Sequence, residues 1–119
     1  MSNIPLIERF IAAWNRLDMD EIESMLTPDV FYHNVPMEPC HGIEQFRAAI
    51  AQFPMEDADW TVHAIAENGN KVLTERTDRF TIEGKPLTIR VMGTFEIEDG
   101  KIAKWRDYFD LGEMTRQLA

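Results

Sequence analysis

The sequence predicts an α+β fold, with three N-terminal helices laid on one face of a curved antiparallel sheet in a single domain over residues 1–119. Three observations predict it. Apolar residues recur at three- and four-residue spacing as far as Pro54. From Asp59 onward the spacing changes to two. The turns Asn68-Gly69, Glu83-Gly84 and Asp99-Gly100 then divide the second half into strands joined in order, as in a meander.

Ile7, Phe10, Ile11, Trp14 and Leu17 form the apolar stripe of the first helix, with Ser2 or Asn3 as cap and Pro5 in the first turn. Asp20 and Glu23 resemble a capping pair for a short second helix, whose apolar side is Ile22, Met25 and Leu26 and which Thr27-Pro28 stops. Val30 to Asn34 reads as a short strand. After a loop containing Pro36, Pro39 and Gly42, the third helix is traced by Ile43, Phe46, Ile50 and Phe53. Long strands follow over Asp59–Asn68, Lys71–Ile82, Leu87–Glu98 and Ile102–Asp110, then a closing helix over Leu111–Leu118. At roughly 3.4 Å per residue the third long strand is too long to stay flat over so small a core, and Gly93 in its middle is a candidate bend or bulge. A sheet that curls over helices encloses a one-ended cavity.

Composition narrows the partners. Asp and Glu number 21 against 12 Lys and Arg, for a net charge of -9, which repels nucleic acid and anionic membranes. Glu8, Arg9 and Arg16 interrupt the apolar positions of the opening residues, so no signal peptide is expected. The single cysteine, Cys40, suits a reducing cytoplasm. His33, His41 and His63 lack metal-ligand spacing, and Cys40 lies in a Pro-rich loop without an evident orienting partner.

The strand period selects the inward faces. On the second long strand Val72, Thr74, Arg76, Asp78, Phe80 and Ile82 form the more apolar set, so Arg76 and Asp78 point into the protein. On the third, Leu87, Ile89, Val91, Gly93, Phe95 and Ile97 point inward. On the last, Ala103, Trp105, Asp107 and Phe109 do, leaving Asp107 as the lone charge of that face. A two-residue loop at Glu83-Gly84 and a three-residue loop at Glu98-Asp99-Gly100 place Arg76, Val91 and Asp107 in one row. One guanidinium then lies between two carboxylates in an apolar cavity. An apolar wall raises the pKa of one aspartate while the positive charge keeps the other ionised, giving an acid beside a base. An inward Arg–Asp pair taken alone is more often a structural ion pair than a catalytic one, and Asp107 as third member brings the two readings level. Tyr32 and Asn34 share a face of the short strand and read by default as a core tyrosine and a turn-side hydrogen bonder, with a hydroxyl and an amide that hold water as the less common alternative.

The segments FYHNVPMEPCHG, TERTD and WRDYFD, in that order and spacing, resemble the limonene-1,2-epoxide hydrolase family. The resemblance implies a nuclear-transport-factor-2-like cone and one-step opening of a small, mostly apolar epoxide to a vicinal diol, without metal or organic cofactor. By position it implies Asp107 as general base, Asp78 as general acid, Arg76 as the bridge, and Tyr32 and Asn34 as water holders. Phe80, Ile89, Val91, Phe109 and Met114 are the expected pocket wall, with Met114 where a bulkier lid is expected. An isomerase or polyketide-cyclase-like enzyme of the same fold, or a non-catalytic ligand-binding module, are the alternatives. The outer sheet face, with Thr61, His63, Ile65, Leu73, Met92 and Tyr108, predicts a homodimer through that face.

Overall fold

The computed structural model describes residues 2–119. Helix α1 (Ile4–Asn15) buries Ile7, Phe10, Ile11 and Trp14, the stripe its spacing predicts. Asn3 stands at its N-cap without a side-chain bond, and the Ser2 hydroxyl accepts from the Ile4 amide at 3.1 Å instead. Leu17, with φ of 52°, turns the chain sharply after α1. Asp18 therefore caps α2 (Met19–Ser24), accepting from the Glu21 amide at 3.2 Å, in place of the expected Asp20 and Glu23 pair.

Strand β1 (Leu26–Asn34) begins four residues before the expected start, with an irregular register between Leu26 and Phe31, and Pro28, which has no N–H to donate, falls in that gap. It pairs on one side with the two-residue strand β2 (Cys40–His41), which the sequence does not announce. Helix α3 (Ile43–Gln52) follows. Then come β3 (Met55–Asn68), β4 (Lys71–Ile82), β5 (Lys85–Glu98) and β6 (Lys101–Tyr108), and last α4 (Leu111–Leu118). β3 to β6 form the expected antiparallel meander, and β1 adds parallel to β6, so the sheet order is β2-β1-β6-β5-β4-β3.

Two irregularities set which residues face inward. Between β3 and β4 the register shifts after Val62, so His63 is extra. Ile65 then lies opposite Thr74 on the inner face, and Ala64 and Ala66 lie opposite Glu75 and Leu73 on the outer one. The expectation that Ile65 faces outward is thereby corrected. Thr61, His63, Leu73, Met92 and Tyr108 do lie on the outer side, with Met92 and Tyr108 directly paired across β5 and β6.

The second irregularity corrects the expected row. The turn before β6 has two residues, Asp99 and Gly100, both left-handed (φ 50° and 77°), the geometry that best matches the twist of a hairpin. Glu98 pairs with Lys101 and Ile97 with Ile102, but Glu96 pairs with Lys104, leaving Ala103 as an extra residue; Ile102 and Ala103 are both buried. Without that bulge Asp107 would sit opposite Met92 on the outer face. With it, Asp107 sits inward opposite Gly93, where Val91 was expected; Val91 pairs with Arg76 as expected. Gly93 itself pairs regularly on both sides and is not the bulge.

The core has two parts. Phe10 meets Trp105 edge-on at 5.1 Å between centroids, and Trp14 stacks on Trp60 at 4.9 Å, so all three tryptophans are core residues. A smaller cluster of Ile82, Leu87, Ile89, Val91 and Met114 closes the other end. Helix α4 also covers the part of β5 that extends past β6. The Gln117 side chain accepts from the Thr88 amide at 2.7 Å and donates to its carbonyl at 2.8 Å, occupying a strand edge otherwise open to pairing.

Candidate active site

Between the two clusters lies a cavity of about 430 Å³. Asp78, Asp107, Tyr32 and Asn34 line it, as do Phe80, Ile89, Val91, Phe109 and Met114 from the expected wall. Arg76 lies behind this lining. It is 1% exposed, and Asp78 and Asp107 are 5% exposed each. An arginine so deeply buried must have its donors satisfied or the fold loses the full cost of desolvating them.

All five guanidinium hydrogens have acceptors. Nε and Nη2 donate to Asp78 Oδ1 and Oδ2 at 3.0 and 2.9 Å. Nη1 and Nη2 donate to Asp107 Oδ1 and Oδ2 at 3.2 and 3.0 Å. Nη1 also donates to Thr74 Oγ1 at 3.1 Å. Both carboxylates are thus gripped in bidentate fashion by one planar cation. The Arg76 side chain leans along β4 toward Thr74 and over Gly93 to reach Asp107, so a diagonal contact replaces the straight row. Its cationic carbon lies 5.4 Å from the centroid of the Trp60 ring, a further favourable contact for a buried cation.

Asp107 has a second anchor, the Trp105 indole N–H, which donates to Oδ1 at 2.8 Å. In the parallel ladder of β1 and β6, Tyr32 lies opposite Trp105 and Asn34 opposite Asp107. The Asn34 amide donates to the Tyr32 hydroxyl at 2.8 Å. Tyr32 is held by Trp105 and Phe46, with ring centroids 4.6 and 5.3 Å away. Burial and then the nearby Asp107 charge push its phenol well above the ordinary range, so it keeps its proton and remains a donor at any physiological pH.

The two acids have different surroundings. Burial pushes the Asp78 carboxyl up; the Arg76 hydrogen bonds and charge pull it down, and the Asp107 charge raises it again, with burial prevailing. A cation with two ionised carboxylates would leave one net negative charge in an apolar site. A proton on Asp78 makes the trio neutral, which avoids that desolvation cost. For Arg76, burial acts to lower the pKa, but the two aspartates outweigh it and the guanidinium stays charged. The arrangement can therefore donate a proton from Asp78 and accept one elsewhere in the same cavity.

Strand periodicity brought Arg76, Asp78 and Asp107 to one place and the resemblance added Tyr32 and Asn34; all five lie in or directly behind the cavity wall. The sequence reading missed Thr74 and Trp105 as hydrogen-bonding partners of the trio. An inward hydroxyl two residues from Arg76, and an indole two residues from Asp107, are the signals that could have found them. It also missed the part of the cavity lining that Met37, Glu38, Gln45, Gln52 and Phe53 supply from the loop after β1 and from α3 and its end. The cavity-lining Cys40 thiol is pushed up by burial, which makes it a poor nucleophile. Among the described residues no group of three or more His, Cys, Asp or Glu side chains is placed to hold a metal ion, and no helix is long and apolar enough to cross a membrane.

The family model of the limonene-1,2-epoxide hydrolase catalytic domain matches residues 1–119. The chain belongs to this family. It is 33% identical over 113 residues to the epoxide hydrolase EphG of Mycobacterium tuberculosis, covering 94% of this chain and 76% of that protein. A solved structure of an epoxide hydrolase of the same type from M. tuberculosis superposes with a TM-score of 0.82 at 34% identity, over 98% of this chain and 88% of that one. An NTF2-like protein of unknown function from Burkholderia pseudomallei superposes with a TM-score of 0.87 at 23% identity, over 100% and 99% of the two chains. The last likeness is one of fold alone, and it makes this family member an NTF2-like α+β protein.

The raised Asp78 carboxyl has a consequence for stability. Because the folded state holds this proton more tightly than the unfolded chain, Asp78 favours folding least once the unfolded aspartate has ionised. The difference in melting temperature between the parent and Asp78→Asn should therefore move against the parent as pH rises from about 4 toward neutrality. Thermal unfolding of both chains across that range checks it, and a difference that moves in the parent's favour contradicts the assigned direction.

Proposed function

We propose that this protein hydrolyses a small, mostly apolar epoxide to a vicinal diol in one step. The observation that carries the proposal is the single buried guanidinium shared by two carboxylates, one of which has its proton affinity raised, at the wall of a mostly apolar cavity. Membership of the limonene-1,2-epoxide hydrolase family supports it. In the proposed reaction a water held by Tyr32, Asn34 and Asp107 attacks an epoxide carbon. Asp107 takes a proton from that water as the new C–O bond forms. The ring C–O bond breaks on the other side, and Asp78 gives its proton to the departing oxygen. Water supplies the added hydroxyl and the second proton, so no covalent enzyme intermediate forms. Asp78 is left ionised and Asp107 protonated, and one proton moved from Asp107 to Asp78 restores the starting state. Arg76 remains charged throughout and holds both carboxylates in place while their charges exchange.

Phe80, Ile89, Val91, Phe109 and Met114 are the proposed hydrocarbon wall, and they favour a substrate whose body is apolar. An isomerase or cyclase on the same scaffold would move a proton without consuming water. Incubation with limonene oxide and a panel of small epoxides in heavy-oxygen water should give a diol carrying one label, with none entering the protein. A product of unchanged mass would favour isomerisation, and a labelled aspartate would contradict one-step attack. Asp107→Asn should lower turnover by about 100-fold or more while the chain stays folded; ligand affinity untouched with no turnover by the parent would point to a binding module.

We also propose a homodimer through the outer sheet face, where Met92 and Tyr108 are 48% and 46% exposed side by side. Light scattering should return twice the chain mass at micromolar concentration, and the mass of one chain would overturn it.

A further inference from the structure

We infer that Gly93 is a positioning residue: its missing side chain is the space through which Arg76 reaches Asp107. Thr74, Gly93 and Asp107 form one row across β4, β5 and β6, all on the inner face. A β-carbon at residue 93 would overlap Arg76 Nη1 and stand 2.6 Å from Asp107 Oδ1 and 3.1 Å from Thr74 Oγ1. Nothing else about the position calls for glycine. Gly93 is not among the residues with left-handed φ, and a glycine inside a strand weakens it. Along the same face of β5, Leu87, Ile89, Val91, Phe95 and Ile97 are all large, so the row opposite Asp107 is the single gap.

The neighbours have little freedom to make room. The guanidinium has every N–H committed and its side chain is fully buried, while Asp107 Oδ1 is also held by Trp105. A methyl group at residue 93 therefore separates Arg76 from Asp107 and leaves a buried carboxylate without its cation. The Ala103 bulge and the bare Gly93 act together: one turns Asp107 inward, and the other keeps the path to it open.

The catalytic consequence rests on the proposed epoxide hydrolysis; the structural claim does not. Gly93→Ala should lower kcat by about 100-fold or more with KM changed by less than about threefold, as expected when the reacting groups and not the pocket wall are displaced. Thr94→Ala, on the outer face next door, should keep the parent's kcat. Thermal unfolding gives the second readout. Gly93→Ala should lower the melting temperature of the parent. In a chain carrying Arg76→Ala, Asp78→Ala and Asp107→Ala, where the space is open, it should leave the melting temperature unchanged or raise it. Asp107→Ala alone serves as the background if the triple variant does not fold, and there the loss should be smaller than in the parent. Equal losses in parent and background, or a Gly93→Ala enzyme with the parent's kcat, would overturn the inference. If the parent hydrolyses no epoxide, the thermal comparison still decides the role of Gly93, and only the functional reading falls.

Discussion

One buried arginine sets the terms for the rest of this molecule. Arg76 brings a permanent positive charge into an apolar interior, where an unpaired charge is not tolerated, and the surrounding sheet is arranged to satisfy it. Asp78 comes from the same strand, Asp107 from a strand two places away, and Thr74 takes the remaining N–H. Removing one partner from a buried pair of this kind costs about 3–5 kcal/mol, so the trio is a constraint on the fold as well as the proposed reactive group. Because two acids share one cation, their protonation is coupled, and one proton on the pair leaves the trio without net charge.

The scaffold serves this constraint in three ways. Aromatic residues from α1, α3, β1, β3, β5 and β6 form a rigid floor, within which Trp105 both packs against Phe10 and Tyr32 and donates to Asp107. Parallel pairing of β1 with β6 brings Asn34 level with Asp107 and Tyr32 one inward position away. Helix α4 then shields the free edge of β5 and sets Met114 against the apolar end of the cavity. The first two place polar groups in a mostly hydrocarbon surface and the third completes that surface, in which electrostatic interactions are strengthened.

The inward faces of β4, β5 and β6 were legible because alternation of apolar and polar residues reports a strand's two sides directly, and Arg76, Asp78 and Asp107 stood out against hydrocarbon neighbours. Register was harder to read. The offset of β6 depends on a left-handed turn at Asp99-Gly100 and on one extra residue, Ala103, whose effects on parity cancel. A three-residue loop predicts the same face and the wrong partner. The adjacent apolar pair Ile102 and Ala103 was the available signal, since a regular strand would have sent one of them to solvent. The His63 bulge carried no such mark, because Ala64 and Ile65 are both apolar and either fits inward. Gly93 looked like a bend for the same reason: glycine in a strand reports a missing side chain, and the sequence does not say what fills the space.

The proposed reaction depends on Asp78 holding a proton at neutral pH. Infrared difference spectroscopy between the parent and Asp78→Asn at neutral pH tests this most directly, because a protonated carboxyl and a carboxylate absorb in separate regions. The substitution should remove a carboxylic-acid carbonyl band of a buried group and leave the carboxylate bands otherwise balanced. Loss of a carboxylate band instead, with no acid band in the parent, would contradict it.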